Sequence, residues 1–96
     1  MPDVQIVWLP EARSERAELI DYIAERNMLA AFSVDDQISR QVEQLIAFPH
    51  LWRRGRAPGT FELVVSQTPY ILAYRLHGDE VQILHVFHER RDWPPK

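Results

Sequence analysis

The chain of 96 residues is 46% hydrophobic and contains three Trp and four Phe, which suffices for one compact domain over residues 1–96. It has no cysteine, which excludes a disulfide framework, a thiolate nucleophile and a cysteine-ligated zinc site. Its apolar runs are far shorter than the roughly 18 residues of a membrane span, and its first residues lack the basic region of a signal peptide. We therefore expect a cytoplasmic protein that does not contact a membrane.

The net charge of −3 conceals two unlike halves. Residues 1–48 contain nine Asp or Glu and four Lys or Arg, whereas residues 49–96 contain five and seven. All four histidines and six of the ten arginines also fall in the second half. Since imidazoles transfer protons and guanidiniums bind anions, we expect the function to lie in the second half.

The first half predicts a strand followed by two helices. Residues 4–9 combine β-branched and aromatic side chains with period-two alternation, which favours a strand. Apolar residues then recur at helical spacing over residues 11–26, and Asn27 is a suitable C-cap. A second apolar stripe predicts a helix over residues 29–48. Because the joint between them is so short, the two helices should form an antiparallel hairpin.

In the second half the hydrophobic period changes to two. After a basic loop at residues 50–59, strands are predicted at residues 61–66, 70–77 and 81–88, joined by short turns that force antiparallel pairing. The order β-α-α-β-β-β predicts an α+β fold in which the helical hairpin covers one face of a four-stranded, mainly antiparallel sheet. The other face has no layer of its own, so we expect it to be open to a partner or a substrate.

The basic loop places Arg53, Arg54 and Arg56 close to Trp52. Guanidinium groups hold phosphate through paired hydrogen bonds, and an indole ring stacks on a base. The pattern therefore predicts binding of phosphate or of an acidic partner. A solvated surface loop accounts for it equally well.

Arg75 lies within an otherwise apolar strand. A charge on the covered face of the sheet would be costly unless it were paired. We therefore expect its side chain on the open face, where it either serves a site or makes a structural salt bridge to Glu62 or Asp92.

His85 and His88 are three positions apart, and a regular strand therefore places them on opposite faces. We do not expect them to act together. His85 shares its predicted face with Val81, Ile83 and Phe87, and we interpret it as a hydrogen-bonded, half-buried residue.

His88 is the better functional candidate, because it ends its strand close to Arg90, Arg91 and Trp93. An imidazole transfers protons and a neighbouring arginine stabilises charge on phosphate, which suits metal-free RNA cleavage by a 2′-hydroxyl attacking its own phosphate. The alternative is a histidine stacked on Trp93 or bonded to the backbone. The sequence has no HExxH, DxD, Gly-rich phosphate loop or GxSxG pattern, so neither a metal nor another cofactor is expected.

Five segments of the sequence carry a resemblance to a known family. In the second half they are Gly59–Val65, Thr68–Leu76 and Val81–Pro94, and in the first half Trp8–Ala12 and Asn27–Ala31. Together they resemble the RelE/ParE superfamily, the small toxins of type II toxin–antitoxin modules. The fold of that superfamily agrees with the one that the periodicity predicts.

The resemblance implies a growth-inhibiting protein that is neutralised by a cognate antitoxin from the same operon, in a toxin–antitoxin hetero-oligomer. RelE-like members cleave messenger RNA on the ribosome, whereas ParE-like members poison DNA gyrase, and both share this scaffold. The two activities, one enzymatic and one not, therefore stay open.

For a RelE-like nuclease the resemblance implies residues of two kinds. Proton transfer and charge stabilisation fall to His88, Arg91 and Arg75, which would have to meet one phosphate on the open face. Substrate phosphates are held by further cations and one aromatic ring: Arg53, Arg54, Arg56, Arg90 and Trp93.

The match to the nuclease pattern is partial. The only lysine is Lys96, which excludes a lysine acid or base from the core of the site. Phe61 and Ile71 stand where the nucleases have arginine. A nuclease on this scaffold would therefore have to be centred on a histidine.

Overall fold

The computed structural model describes residues 4–50 and 52–90. Within these ranges a helical hairpin covers one face of a five-stranded sheet with the strand order β1-β5-β4-β3-β2. The elements are β1 (Gln5–Trp8), α1 (Pro10–Arg26), α2 (Met28–Ala47), β2 (Arg53–Arg54), β3 (Phe61–Val64), β4 (Tyr70–His77) and β5 (Glu80–His88). The α+β class is confirmed. The described sheet has five strands rather than the predicted four, because Arg53–Arg54, expected in a loop, pairs with β3.

The strands β2 to β5 pair antiparallel, and β1 pairs parallel with β5. The predicted meander of the last three strands is therefore confirmed. The first strand returns to the sheet beside the last one, which makes β1 and β2 the two edges among the described strands.

A single residue, Asn27, joins the two helices. Its backbone N–H donates to the Ile23 carbonyl at 2.8 Å and so caps the end of α1, as predicted. Its side-chain Oδ1 accepts the Ala30 N–H at 3.0 Å and so caps the start of α2. Because the same residue caps both helices, no further loop residue lies between them.

The main core lies between the hairpin and the sheet, on what we call the helix-covered face. Its buried members come from both helices, from β3 and the residue that follows it, and from β4 and β5: Ala12, Ile38, Val42, Leu45, Leu63, Val65, Leu72, Tyr74, Val81, Ile83 and Val86. Tyr74 is 0% exposed, and its hydroxyl donates to the Pro49 carbonyl at 3.0 Å. That hydrogen bond ties the end of the helical hairpin to β4.

A β-bulge in β5 reverses the facing of every residue after it. Tyr74 pairs with Ile83 but the preceding Ala73 pairs with His85, which leaves Leu84 as the extra residue. Val86 consequently packs in the main core. The predicted single face shared by His85 with Val81, Ile83 and Phe87 is therefore wrong, because that prediction assumed a regular strand.

The other side of the sheet, here called the second face, is less open than expected. Ile71, Ala73 and Phe87 are buried there in a small cluster with Val64. The guanidinium of Arg56 lies over the Phe87 ring, 5.7 Å from its centroid. The basic loop thus folds back onto this face. None of the described helices is long and apolar enough to cross a membrane.

Candidate functional site

The basic loop is built around a buried carboxylate. Glu62 on β3 is 1% exposed and lies opposite Arg53 of β2. Its Oε1 accepts a hydrogen bond from Arg53 Nη2 at 3.1 Å, and its Oε2 accepts one from the Arg56 backbone N–H at 2.9 Å. Arg56 Nε also lies 3.6 Å from Oε2. Since an unpaired buried carboxylate is costly, Glu62 fixes both the Arg53 side chain and the path of the loop.

Short-range hydrogen bonds close the loop between β2 and β3. The Gly55 N–H donates to the Thr60 carbonyl at 2.7 Å, and the Thr60 hydroxyl donates to the Ala57 carbonyl at 2.6 Å. A Cβ at position 55 would overlap Thr60 Oγ1, so any residue other than glycine would require the Thr60 side chain to move. The loop arginines are exposed, but the backbone that carries them is held by these hydrogen bonds.

Arg54 is the arginine of this group that Glu62 does not hold. It lies opposite Phe61, and consecutive strand residues alternate between faces, so Arg53 and Arg54 lie on opposite sides of the sheet edge. Arg54 is exposed and forms no ion pair with another described residue.

Trp52 does not provide the stacking surface that the sequence suggested. The side chain packs against the main core, and its Nε1 is buried without a hydrogen-bond acceptor among the described residues. The indole therefore contributes to the core beneath the basic loop and is not presented to a ligand.

Arg75 lies on the second face, as predicted, in the alternation that includes Ala73. Its Nε donates to Gln82 Oε1 at 2.7 Å, and Gln82 Nε2 donates in turn to Glu80 Oε1 at 2.8 Å. The alternative salt bridge to Glu62 is not formed, because that carboxylate is committed to the basic loop. The other suggested partner, Asp92, lies outside the described residues.

His88 lies on the helix-covered side of the sheet. It alternates with Val86 and lines a groove of about 340 Å³ between α1 and the end of β5, together with Tyr22. Its ring meets the ring of Tyr70 edge-on, with centroids 5.8 Å apart. Its Nδ1 accepts the Arg90 backbone N–H at 3.1 Å, so in the neutral ring the proton is on Nε2. The backbone-bonded alternative from the sequence is thus present.

His85 is held by α1, and its interpretation as a hydrogen-bonded, half-buried residue is confirmed. Its Nδ1 lies 3.1 Å from Glu15 Oε1, and its Nε2 lies 3.7 Å from Glu11 Oε2. The same Glu15 oxygen accepts the backbone N–H of Val86 at 3.0 Å. This arrangement stabilises the junction between α1 and β5.

The predicted catalytic set does not assemble within the described residues. Arg53 and Arg75 belong to the second face, whereas His88 faces α1. Arg91 and Trp93 lie outside the described residues, so their roles stay predictions. No three His, Asp or Glu side chains in residues 4–50 and 52–90 are grouped as a metal site requires.

Two structural residues were missed from the sequence. Glu62 was considered only as a partner of Arg75, although a lone acidic residue in an apolar strand just after three arginines is a signal for pairing with the loop. For Glu15, nothing local in the sequence indicates that its carboxylate reaches β5.

Solved structures share this fold. A chain of the chromosomal ParDE TA system from P. aeruginosa superposes with a TM-score of 0.80 at 23% identity, covering 88% of this chain and 95% of that one. A chain of the toxin–antitoxin complex RelBE2 from Mycobacterium tuberculosis superposes with a TM-score of 0.59 at 25% identity, covering 92% of this chain and 93% of that one. The scaffold of this chain therefore also occurs in chains of these two toxin–antitoxin systems.

The sequence comparisons identify the family more closely. Residues 6–93 match the family model described as ParE toxin of type II toxin-antitoxin system, parDE. A protein of Sinorhizobium fredii that is named "Putative toxin Y4kP" is 37% identical over 90 residues, covering 94% of this chain and 93% of that protein. The chain belongs to the ParE toxin family, which confirms the resemblance to the RelE/ParE superfamily.

Proposed function

We propose that this chain inhibits growth as a ParE-like toxin, by binding DNA gyrase, and that a cognate antitoxin neutralises it. The family match over residues 6–93 supports this target class. The observation on which the choice rests is the separation of the candidate nuclease groups. His88 lies on the helix-covered side of the sheet, while Arg53 and Arg75 belong to the second face.

This separation bears on mechanism because RNA cleavage without a metal needs two groups at one phosphate. A base must come within hydrogen-bond reach of the 2′-hydroxyl, and a cation must stabilise the charge that develops on the phosphate. The sheet lies between His88 and the two arginines of the second face, Arg53 and Arg75, and keeps these three groups from meeting the same phosphate. Inhibition by binding requires only a well-ordered exposed surface, which the basic loop and the hairpin supply.

The antitoxin site that we propose is the outer edge of β1 with the adjoining surface of α2. Only one side of β1 is paired among the described strands, so the backbone N–H and C=O groups of Ile6 and Trp8 point outward. A groove of about 850 Å³ runs beside this edge and is lined both by apolar residues, among them Val42 and Ile46, and by charged residues of the helices such as Arg40 and Glu43. An extended antitoxin segment can add a strand here and fill the groove with alternate side chains.

Induced expression in bacterial cells tests the proposed function. We expect DNA breaks and an SOS-type response while messenger RNA remains intact. Coexpression of the antitoxin should prevent the DNA breaks and the SOS-type response. With purified components, the toxin should inhibit supercoiling of plasmid DNA by gyrase or trap cleaved DNA. Early cleavage of messenger RNA on ribosomes with undamaged DNA would contradict the proposal and favour the RelE-like activity.

A further inference from the structure

We infer that Arg53 and Arg54 bind the phosphodiester backbone of a nucleic acid along the outer edge of β2, and that Glu62 is the positioning residue for Arg53. The inference rests on the proposed function in one respect: gyrase acts on DNA, so we propose duplex DNA as the nucleic acid that binds here. RNA has the same phosphodiester chemistry, and the experiment below compares the two.

Glu62 holds Arg53 without enclosing it. The carboxylate is 1% exposed, whereas the Arg53 side chain is 55% exposed. A guanidinium has five N–H donors, and Nη2 is the atom that bonds Glu62. Glu62 thus fixes the orientation of the Arg53 side chain, while much of the donor-bearing surface of that side chain faces solvent.

Arg54 is placed beside this oriented arginine. Arg54 lies on the opposite side of the sheet edge and is exposed. Because the Gly55 N–H donates to the Thr60 carbonyl, the alternation of an antiparallel ladder directs the Arg54 backbone N–H outward. Two guanidiniums and one amide donor therefore line the edge of β2 that no described strand pairs with, a combination that matches the oxygens of a phosphate chain.

The charge of the rest of the molecule also bears on this site. The helical hairpin over residues 10–47 contains eight Asp or Glu and four Arg, a net charge of −4. That field repels a polyanion from the hairpin and leaves the edge of β2 as the favoured approach. The antitoxin groove lies at the opposite edge of the sheet.

A buried carboxylate next to a phosphate site makes an unusual prediction possible. Substituting Glu62→Gln removes one negative charge and keeps the shape of the side chain. If the loop attracted DNA only through its net charge, this variant would bind DNA more tightly than the wild type. If Glu62 positions Arg53, the variant binds more weakly despite its higher positive charge.

We would measure binding of a short fluorescent DNA duplex to the purified toxin by anisotropy at several salt concentrations. For Glu62→Gln we expect roughly tenfold weaker binding, comparable with the loss of one charge-assisted hydrogen bond. The slope of log affinity against log salt should become shallower by about one, as for a lost phosphate contact. Equal or tighter binding by Glu62→Gln at a wild-type melting temperature overturns the positioning role.

Arg54→Gln keeps the test decisive if Glu62→Gln fails to fold, because Arg54 is exposed and does not touch the carboxylate. We expect the same loss of affinity and of salt slope for it, and no change for Arg13→Gln, an exposed arginine of the acidic hairpin. Unchanged DNA binding by Arg54→Gln overturns the site. Tighter binding of single-stranded RNA than of duplex DNA overturns DNA as the source of the phosphate.

The gyrase assay separates this inference from the proposed function. If the wild type inhibits gyrase and Arg54→Gln is equally potent, the phosphate site is wrong while the function stands. If the wild type leaves gyrase unaffected, the function is wrong, and the anisotropy measurements still decide whether the edge of β2 binds phosphodiesters.

Discussion

Glu15 of α1 substitutes for a missing strand at Val86 of β5. Pairing between β1 and β5 ends at Trp8 and Ile83, beyond which the β5 edge has no strand beside it among the described residues. There the Glu15 carboxylate accepts the Val86 N–H at 3.0 Å, in the place where a backbone carbonyl of β1 would otherwise lie. A helix side chain therefore completes the hydrogen bonding of the sheet.

We expect Glu15→Ala to lower the free energy of unfolding by about 1–3 kcal/mol, because it leaves the Val86 N–H without an acceptor. Glu15→Gln retains an acceptor oxygen, so the loss should be clearly smaller. Glu18→Ala, an exposed change on the same helix, should stay within about 0.5 kcal/mol of the wild type. Urea denaturation of the purified toxin measures all three, and equal effects of Glu15→Ala and Glu18→Ala would remove this role from Glu15.

Tyr74 should make the protein lose stability in alkali. Burial raises the pKa of Tyr74 from 10.0 to about 12, against the opposing effect of a hydrogen bond from the Trp52 backbone. Below pH 10 the phenol is protonated in both the folded and unfolded states, so it adds no pH dependence. Between pH 10 and about 12 the unfolded state ionises first, and stability falls by up to about 1.4 kcal/mol per pH unit.

Tyr74→Phe is the matching variant for the alkaline measurement. It removes the phenolic hydroxyl and the hydrogen bond to the Pro49 carbonyl, so it should be less stable at neutral pH. Its stability should then decline less than that of the wild type above pH 10. Denaturant titration at each pH measures the free energy of unfolding of both proteins. If the two values declined in parallel, Tyr74 would not be the responsible group.

Gly55→Ala should destabilise the basic loop, since the new methyl group would overlap Thr60 Oγ1. We expect a loss of about 1–3 kcal/mol in the free energy of unfolding, in the range of overpacking substitutions. Combining it with Thr60→Ala removes the overlapping oxygen, so the double variant should lose less than the sum of the two single variants. A strictly additive result in thermal denaturation would mean that the two residues do not clash.

His88→Ala separates the two activities of the superfamily in living cells. If the protein acts by binding gyrase, the variant should keep its toxicity, because His88 faces α1 and does not belong to the basic loop. Growth would be followed across a range of induction levels, with copurification of the antitoxin as the check on folding. A folded His88→Ala protein that no longer inhibits growth would instead support histidine-centred catalysis.

The helical hairpin was predictable because its signals are local. Apolar spacing located both helices, with α1 and α2 each beginning one residue before the predicted start. Asn27 was recognised as a cap because capping depends on a side chain and its immediate neighbours. The last three strands were also close to their predicted limits, since short turns allow little choice of pairing.

The features that escaped prediction depend on contacts across the sheet. The bulge at Leu84 is a matter of register between β4 and β5, and it reverses the facing of His88. The strand β2 consists of two arginines paired with Glu62 and Phe61 of β3. Periodicity within one segment contains no information about either pairing. The sequence could therefore indicate which part of the chain contains the candidate site, but not on which face of the sheet each of its residues lies.

The pairing of Gln5 with Glu80 also sets when the protein can acquire its structure. The first strand leaves the ribosome roughly four to fifteen seconds before its partner, at ordinary rates of synthesis. During that interval β1 has no strand beside it, and Glu15 has no Val86 to bond. A nascent or truncated chain that ends before β5 therefore cannot complete the sheet, and a cell that makes the toxin is exposed to it only after nearly the whole chain has been translated.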